Sequence, residues 1–284
     1  MTRLQDEIER MSATADTSSL GTGAYKVLDE FLDELEAGTI RAAERTADGE
    51  WRAVAWVKRG ILLGFRIGTM ADMSVPKESA KARFSFVDKH TFPPRRFSTD
   101  DGVRIVPGGS TIRRGAHVAK GVVCMPPMYI NVGAHVCTGT MIDSHALVGS
   151  CAQIGERVHL SAAAQVGGVL EPVNASPVVI ENDVLVGGNC GVYEGTVVRE
   201  RAVLAAGVVL TRGTPVYDLV NELVITGGVD RPLVIPPGAV VVPGARAVSS
   251  GWGLERGLAL QTPVIVKYRD EKTDLATALE AWLR

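Results

Sequence analysis

Residues 111–166 read TIRRGAHVAKGVVCMPPMYINVGAHVCTGTMIDSHALVGSCAQIGERVHLSAAAQV. Counting in sixes from Ile112 gives Val118, Cys124, Ile130, Val136, Ile142, Val148, Ile154, Leu160 and Val166, aliphatic at all but one position. Four residues after each lies a second series, Ala116, Val122, Met128, Ala134, Thr140, Ala146, Ala152, Val158, Ala164 and Leu170, mostly small or β-branched. A helix period of about 3.6 residues does not generate such a series, and two-residue strand alternation does not hold small residues at one offset. A coil with three flat sides does. Three hexads close one turn of about 18 residues, and successive coils stack at roughly the 4.8 Å strand spacing. The count slips by two across GVLEPVNASPVV and resumes at Ile180, Val186, Val192, Val198, Leu204 and Leu210, with Ile235 and Val241 marking a further partial coil. A mainly β protein is expected, with a parallel β-helix over residues 103–247 and an inserted loop near 168–179. The period leaves the hand of the coil open, and a right-handed crossover is the default for parallel strands.

On the N-terminal side, AYKVLDEFLDELEA (24–37) sets Val27, Leu28, Phe31, Leu32 and Leu35 on one side of an amphipathic helix that Gly38 stops. After a turn at Asp48 and Gly49, WRAVAWVKRGILLGFRIG (51–68) is apolar on most sides and fits a buried helix or a strand, with the helix favoured. Residues 69–102 have prolines, charges and no period, and read as a connection into the repeat. Residues 1–102 are thus expected to form a mostly helical N-terminal domain. Residues 248–284 are expected to form a C-terminal extension, with a strand at TPVIVKY (262–268) and a helix DLATALEAWL (274–283) capped by Thr273. That helix would cover an open end of the stack.

Composition narrows the function. Only 5% of residues are aromatic and 31 are glycine, which fits many short strands and tight turns. A net charge of −2 supplies no global field for nucleic acid or anionic lipid, so an anionic ligand must be held by local groups. The N-terminus lacks the apolar core of a secretory signal, and no stretch approaches the roughly 18 apolar residues of a membrane span, so a cytoplasmic protein is expected. Cys124, Cys137, Cys151 and Cys190 have no CxxC spacing and read as buried thiols of a reducing compartment.

Two stretches carry a family likeness. MIDSHALVGSCAQIGERVHLS (141–161) and GGVLEPVNASPVVIENDVLVGG (167–188) resemble the core of the tetrahydrodipicolinate N-succinyltransferases, hexapeptide-repeat acyltransferases of diaminopimelate and lysine biosynthesis. The likeness extends more loosely through VRIVPGG (103–109) and MYINVGAHV (128–136) to VIVKYRD (264–270). The resemblance implies a left-handed β-helix and a homotrimer with active sites between neighbouring subunits. It implies succinyl transfer from succinyl-CoA to the amine of ring-opened tetrahydrodipicolinate, 2-amino-6-oxopimelate, with no tightly bound cofactor.

Such a reaction needs a free-base amine, donors for a tetrahedral oxyanion and cations for a dicarboxylate. Asp143 follows a core position, so the alternation of the coil turns it outward. By resemblance it is the aspartate that contacts the substrate near its amine, where it would orient the nitrogen and accept its proton; on spacing alone it reads equally as a solvated turn residue. Arg104 matches a family arginine that binds a substrate carboxylate, a task suited to a guanidinium fork. At Gly191 the sequence departs from the family pattern, which has a second acidic residue there. Glu194, three residues on, is a catalytic candidate whose offset points to a different face. His145 and His159 are candidate general bases. Ala205, Ala206 and Gly207 lack bulk and would let the pantetheine arm of CoA approach, with Arg246 and Lys267 as candidate partners for its phosphates. The same three small residues fit plain tight packing as well.

Three other functions compete. One is an N-acetyltransferase on the same or a related amino-dicarboxylate. A second is zinc hydration, but His117 and His135 are 18 residues apart and His135, His145 and His159 are separated by 10 and 14, so no metal site is expected. A third is a non-catalytic scaffold, which would not need Asp143 or the GGVLEP insertion.

Overall fold

The computed structural model describes residues 2–74, 85–229 and 231–270. Each hexad folds as a two-residue strand and a turn, as in Thr111–Ile112, His117–Val118 and Val123–Cys124. The second strand residue points into the coil, and Ile112, Val118, Cys124, Ile130 and their successors are all buried in one cluster. Three residues after most core residues the backbone turns left-handed, first at Gly115, Gly121, Gly133 and Gly139, then at His145, Cys151, Arg157 and Ala163. A side chain at such a position costs about 1–2 kcal/mol. The stacking of the coils offsets it.

The strands form three parallel sheets. The first face holds Arg104–Ile105, Val123–Cys124, Met141–Ile142, His159–Leu160, Leu185–Val186 and Val203–Leu204. The second runs from Thr111–Ile112 to Val209–Leu210, and the third from His117–Val118 to Val234–Ile235. Register follows the 18-residue ladder: Val136 pairs with Val118 and Ile154. Across the inserted loop Ile154 pairs with Ile180, so the stack continues unbroken. The partial coil expected at Ile235 and Val241 is present, and Val241 pairs with Leu204.

The N-terminal part packs on the corner between the second and third faces. Helices α1 (Arg3–Ala13), α2 (Gly23–Ala37) and α3 (Ala55–Ile67) share a core with Val132 and Cys151 of the coil turns. Helix α1 was not anticipated, although Leu4, Ile8 and Met11 fall on its buried side. The helix expected over 51–68 is shorter: Trp51–Ala53 is instead strand β2, paired with β1 (Ala43–Arg45) around the Asp48–Gly49 turn. Trp51 takes this conformation because its indole N–H reaches Glu181 of the coil at 2.9 Å. The expected connection 69–102 holds a second hairpin, β3 (Met70–Asp72) with β4 (Val87–Lys89).

After Leu210 the chain leaves the stack to form β5 (Val216–Asp218) and β6 (Leu223–Ile225). It returns through β7 (Ala239–Ala247), α4 (Gly251–Glu255) and β8 (Ala259–Tyr268), a long antiparallel hairpin that contains the predicted strand 262–268. The predicted helix 274–283 lies outside the described residues. Cys124, Cys151 and Cys190 are buried free thiols, whereas Cys137 is only half-buried because it borders a cavity beneath β1 and β2.

Candidate active site

The corner between the first and second faces stacks the turns that follow Cys124, Ile142, Leu160, Val186 and Leu204. Asp143 begins the second of these. Its backbone N–H donates to Leu160 O at 2.9 Å, and its carbonyl accepts from Ala146 N at 3.1 Å. Its Oδ1 accepts from the backbone N–H of Ser144 at 2.7 Å, which fixes the half-buried carboxylate at the corner. Past Asp143 the corner loses bulk, through Ser161-Ala162-Ala163 and Gly187-Gly188 to Ala205-Ala206-Gly207. A Cβ on Gly187 would lie 2.6 Å from Ala206 N, so coil packing explains that glycine. A Cβ on Gly207 would come no nearer than 3.9 Å to Pro243, and Ala206 is exposed, so here the outer surface is unobstructed. Three strand steps separate Met141 from Val203, about 14 Å at the usual spacing.

Arg104 opens the first face, with Val123 between it and Met141, about 10 Å from that strand. Arg104, Asp143 and Ala205–Gly207 therefore share one side of the molecule. His159 is the neighbour of Met141 on the first face, and His145 is exposed in the Asp143 turn, its N–H donating to Pro127 O at 2.5 Å. Glu194 does not join them within one chain. It sits on the corner between the second and third faces, where its Oε2 accepts from Arg212 N at 3.1 Å beside a cavity of about 360 Å³. Gly191 is covered by the ring of Tyr193, and a Cβ there would lie 2.5 Å from Tyr193 Cε2. Lys267 is engaged by Asp270 at 3.2 Å, and Arg246 lies on the outer half of the β7–β8 hairpin, opposite Leu260.

Burial pushes the Cys124 and Cys151 thiols up to about 12, which holds both neutral and removes them as acyl carriers. On the third face the rings of His117 and His135 stack at 4.2 Å, as their 18-residue separation predicts. Burial lowers His117 and brings His135 down to about 2, so both are neutral imidazoles. Among the described residues no three of His, Cys, Asp or Glu are grouped to hold a metal. The sequence reading missed Lys58, fully buried on α3, whose Nζ donates to Ala175 O of the inserted loop at 2.5 Å. An isolated Lys in an apolar helix gives no spacing signal that could have found it.

An outward carboxylate on a stack of hexapeptide coils, beside a corner of small residues, fits the hexapeptide-repeat transferases, and residues 177–212 match "Hexapeptide repeat of succinyl-transferase". Residues 3–67 match "Tetrahydrodipicolinate N-succinyltransferase N-terminal". The 2,3,4,5-tetrahydropyridine-2,6-dicarboxylate N-succinyltransferase of Nitrobacter hamburgensis is 40% identical over 91% of this chain and 89% of its own length. The enzyme of that name from Rhodopseudomonas palustris is 39% identical over 100% of this chain and 99% of its own. A solved structure of a putative N-succinyltransferase from Campylobacter jejuni aligns at a TM-score of 0.45 and 17% identity, over 89% of this chain and 64% of that one. The chain belongs to the tetrahydrodipicolinate N-succinyltransferase family.

Proposed function

We propose that this chain transfers the succinyl group of succinyl-CoA to the amine of ring-opened tetrahydrodipicolinate, on the route to diaminopimelate and lysine. It acts in the cytoplasm as a homotrimer with sites between subunits. The observation that carries the reading is Asp143, fixed at the head of a corner of small residues in a chain of this family. The acceptor nitrogen attacks the thioester carbonyl, the tetrahedral intermediate collapses with loss of the C–S bond, and the nitrogen gives up a proton as CoA leaves as its thiol. Asp143 orients the amine and accepts that proton, its carboxylate held in place by the Ser144 N–H. Arg104 pairs with a carboxylate of the acceptor. The pantetheine arm follows the corner past Ala205, Ala206 and Gly207. Glu194 and Arg246 are assigned subordinate parts, the first at a neighbouring subunit's cleft and the second toward the CoA phosphates.

Steady-state kinetics of Asp143→Asn and Arg104→Lys test these roles. Asp143→Asn should lower kcat by about 10²–10⁴-fold, the usual weight of a general base. Arg104→Lys should act mainly on the KM of the acceptor and spare that of the CoA thioester. An Asp143→Asn enzyme within a few-fold of wild type would remove Asp143 from the mechanism.

A further inference from the structure

Between the β1–β2 hairpin and the third face lies a cavity of about 170 Å³, lined by Arg41, Arg45, Trp51, Cys137, Gln153 and Asn182. Arg41 forms part of its wall. Its Nε donates to Gln153 Oε1 at 2.9 Å, and its guanidinium carbon lies 5.6 Å from the centroid of the Trp51 ring. The Gln153 oxygen is turned toward Arg41 because the amide nitrogen is tied to Cys151 O at 2.8 Å. Three other part-buried arginines have a carboxylate partner: Arg95 meets Glu36 at 3.3 Å, Arg113 meets Asp88 at 2.6 Å and Arg199 meets Glu181 at 2.9 Å. Among the described residues Arg41 has none, and burial lowers its proton affinity. The cavity's own Glu181 is already committed, accepting from Trp51, Arg199 and the Glu200 backbone N–H at 2.9, 2.9 and 3.1 Å.

We propose that this cavity is a binding site for a small carboxylate monoanion, held by the two terminal nitrogens of Arg41 beside the Trp51 ring. A desolvated cation without a counter-ion is costly, and a bound anion offsets that cost. The planar fork of guanidinium matches a carboxylate with two parallel hydrogen bonds. The nearby Glu181 and Glu200 repel a dianion such as phosphate more than a monoanion, and a cavity of about 170 Å³ has room for a small organic anion.

The test is thermal unfolding of the full chain in acetate, phosphate or chloride at matched ionic strength, with alkylation of Cys137 followed by peptide mass analysis. Neither readout requires turnover, so the site is judged separately from the succinyl-transfer reading. Acetate should raise Tm saturably and slow Cys137 alkylation several-fold, while phosphate and chloride do neither. Arg41→Gln should lose both effects. Should Arg41→Gln fail to fold, Gln153→Glu supplies an internal carboxylate to Arg41, and it should raise Tm without acetate and abolish the acetate response. Equal responses to acetate and chloride, or an acetate response that survives either variant, would overturn the site.

Discussion

His135 and His117 stand ring on ring under α2, with Nδ1 of His117 at 2.9 Å from Glu36 O and Arg41 near enough to disfavour a second positive charge. Both imidazoles have folded pKa values below the unfolded value of about 6.5. The unfolded chain therefore binds more protons in acid, so stability is complete above about pH 6.5 and falls as pH drops toward the folded values. Each histidine should contribute a slope of up to about 1.4 kcal/mol per pH unit below that point. His135→Gln should flatten the acid limb of a denaturation series taken from pH 7 to 5, whereas an unchanged slope would show that His135 titrates normally in the fold. At this scale the sequence was informative wherever a residue's phase in the repeat determined its direction. Asp143 follows a core position of the first face and stands at one corner; Glu194 comes two residues after Val192 of the second face and stands at the next. Arg41 and Lys58 were not legible, because what distinguishes them is desolvation by segments distant in sequence.

The inserted loop is the element most tightly keyed to its surroundings. A Cβ on Gly149 would lie 2.2 Å from Gly168 N, and one on Gly168 would lie 2.6 Å from Ser150 N, so two backbones meet where a side chain has no room. Gly149→Ala should cost at least about 1–3 kcal/mol, since the obstruction is backbone rather than a movable side chain. Gly213→Ala, with nothing within 4 Å, should stay within about 0.5 kcal/mol of wild type. Urea denaturation of the pair measures the difference, and equal midpoints would contradict the close approach. The hexads were legible as elements because each repeats one burial pattern, and the stack averages local noise. The hairpins were not. Strands β1 to β4 are three residues each, too short to show a period, and β2 is held by a tertiary bond from Trp51 to Glu181.

The whole molecule is a three-sided column with one corner built over by the N-terminal helices and the first and second faces uncovered by them. Those faces present Met141, Leu185, Tyr129, Leu147 and Val209 outward, an apolar set suited to self-association. Light scattering should give a mass three times that of one chain, and a monomer at assay concentrations would leave the proposed intersubunit site without its second wall. The most direct test of the account is acceptor-dependent thiol release from succinyl-CoA and, separately, from acetyl-CoA, with and without tetrahydrodipicolinate. Release that requires the acceptor and prefers succinyl-CoA is the predicted result. Preference for acetyl-CoA, or no acceptor-dependent release with either thioester, would contradict it.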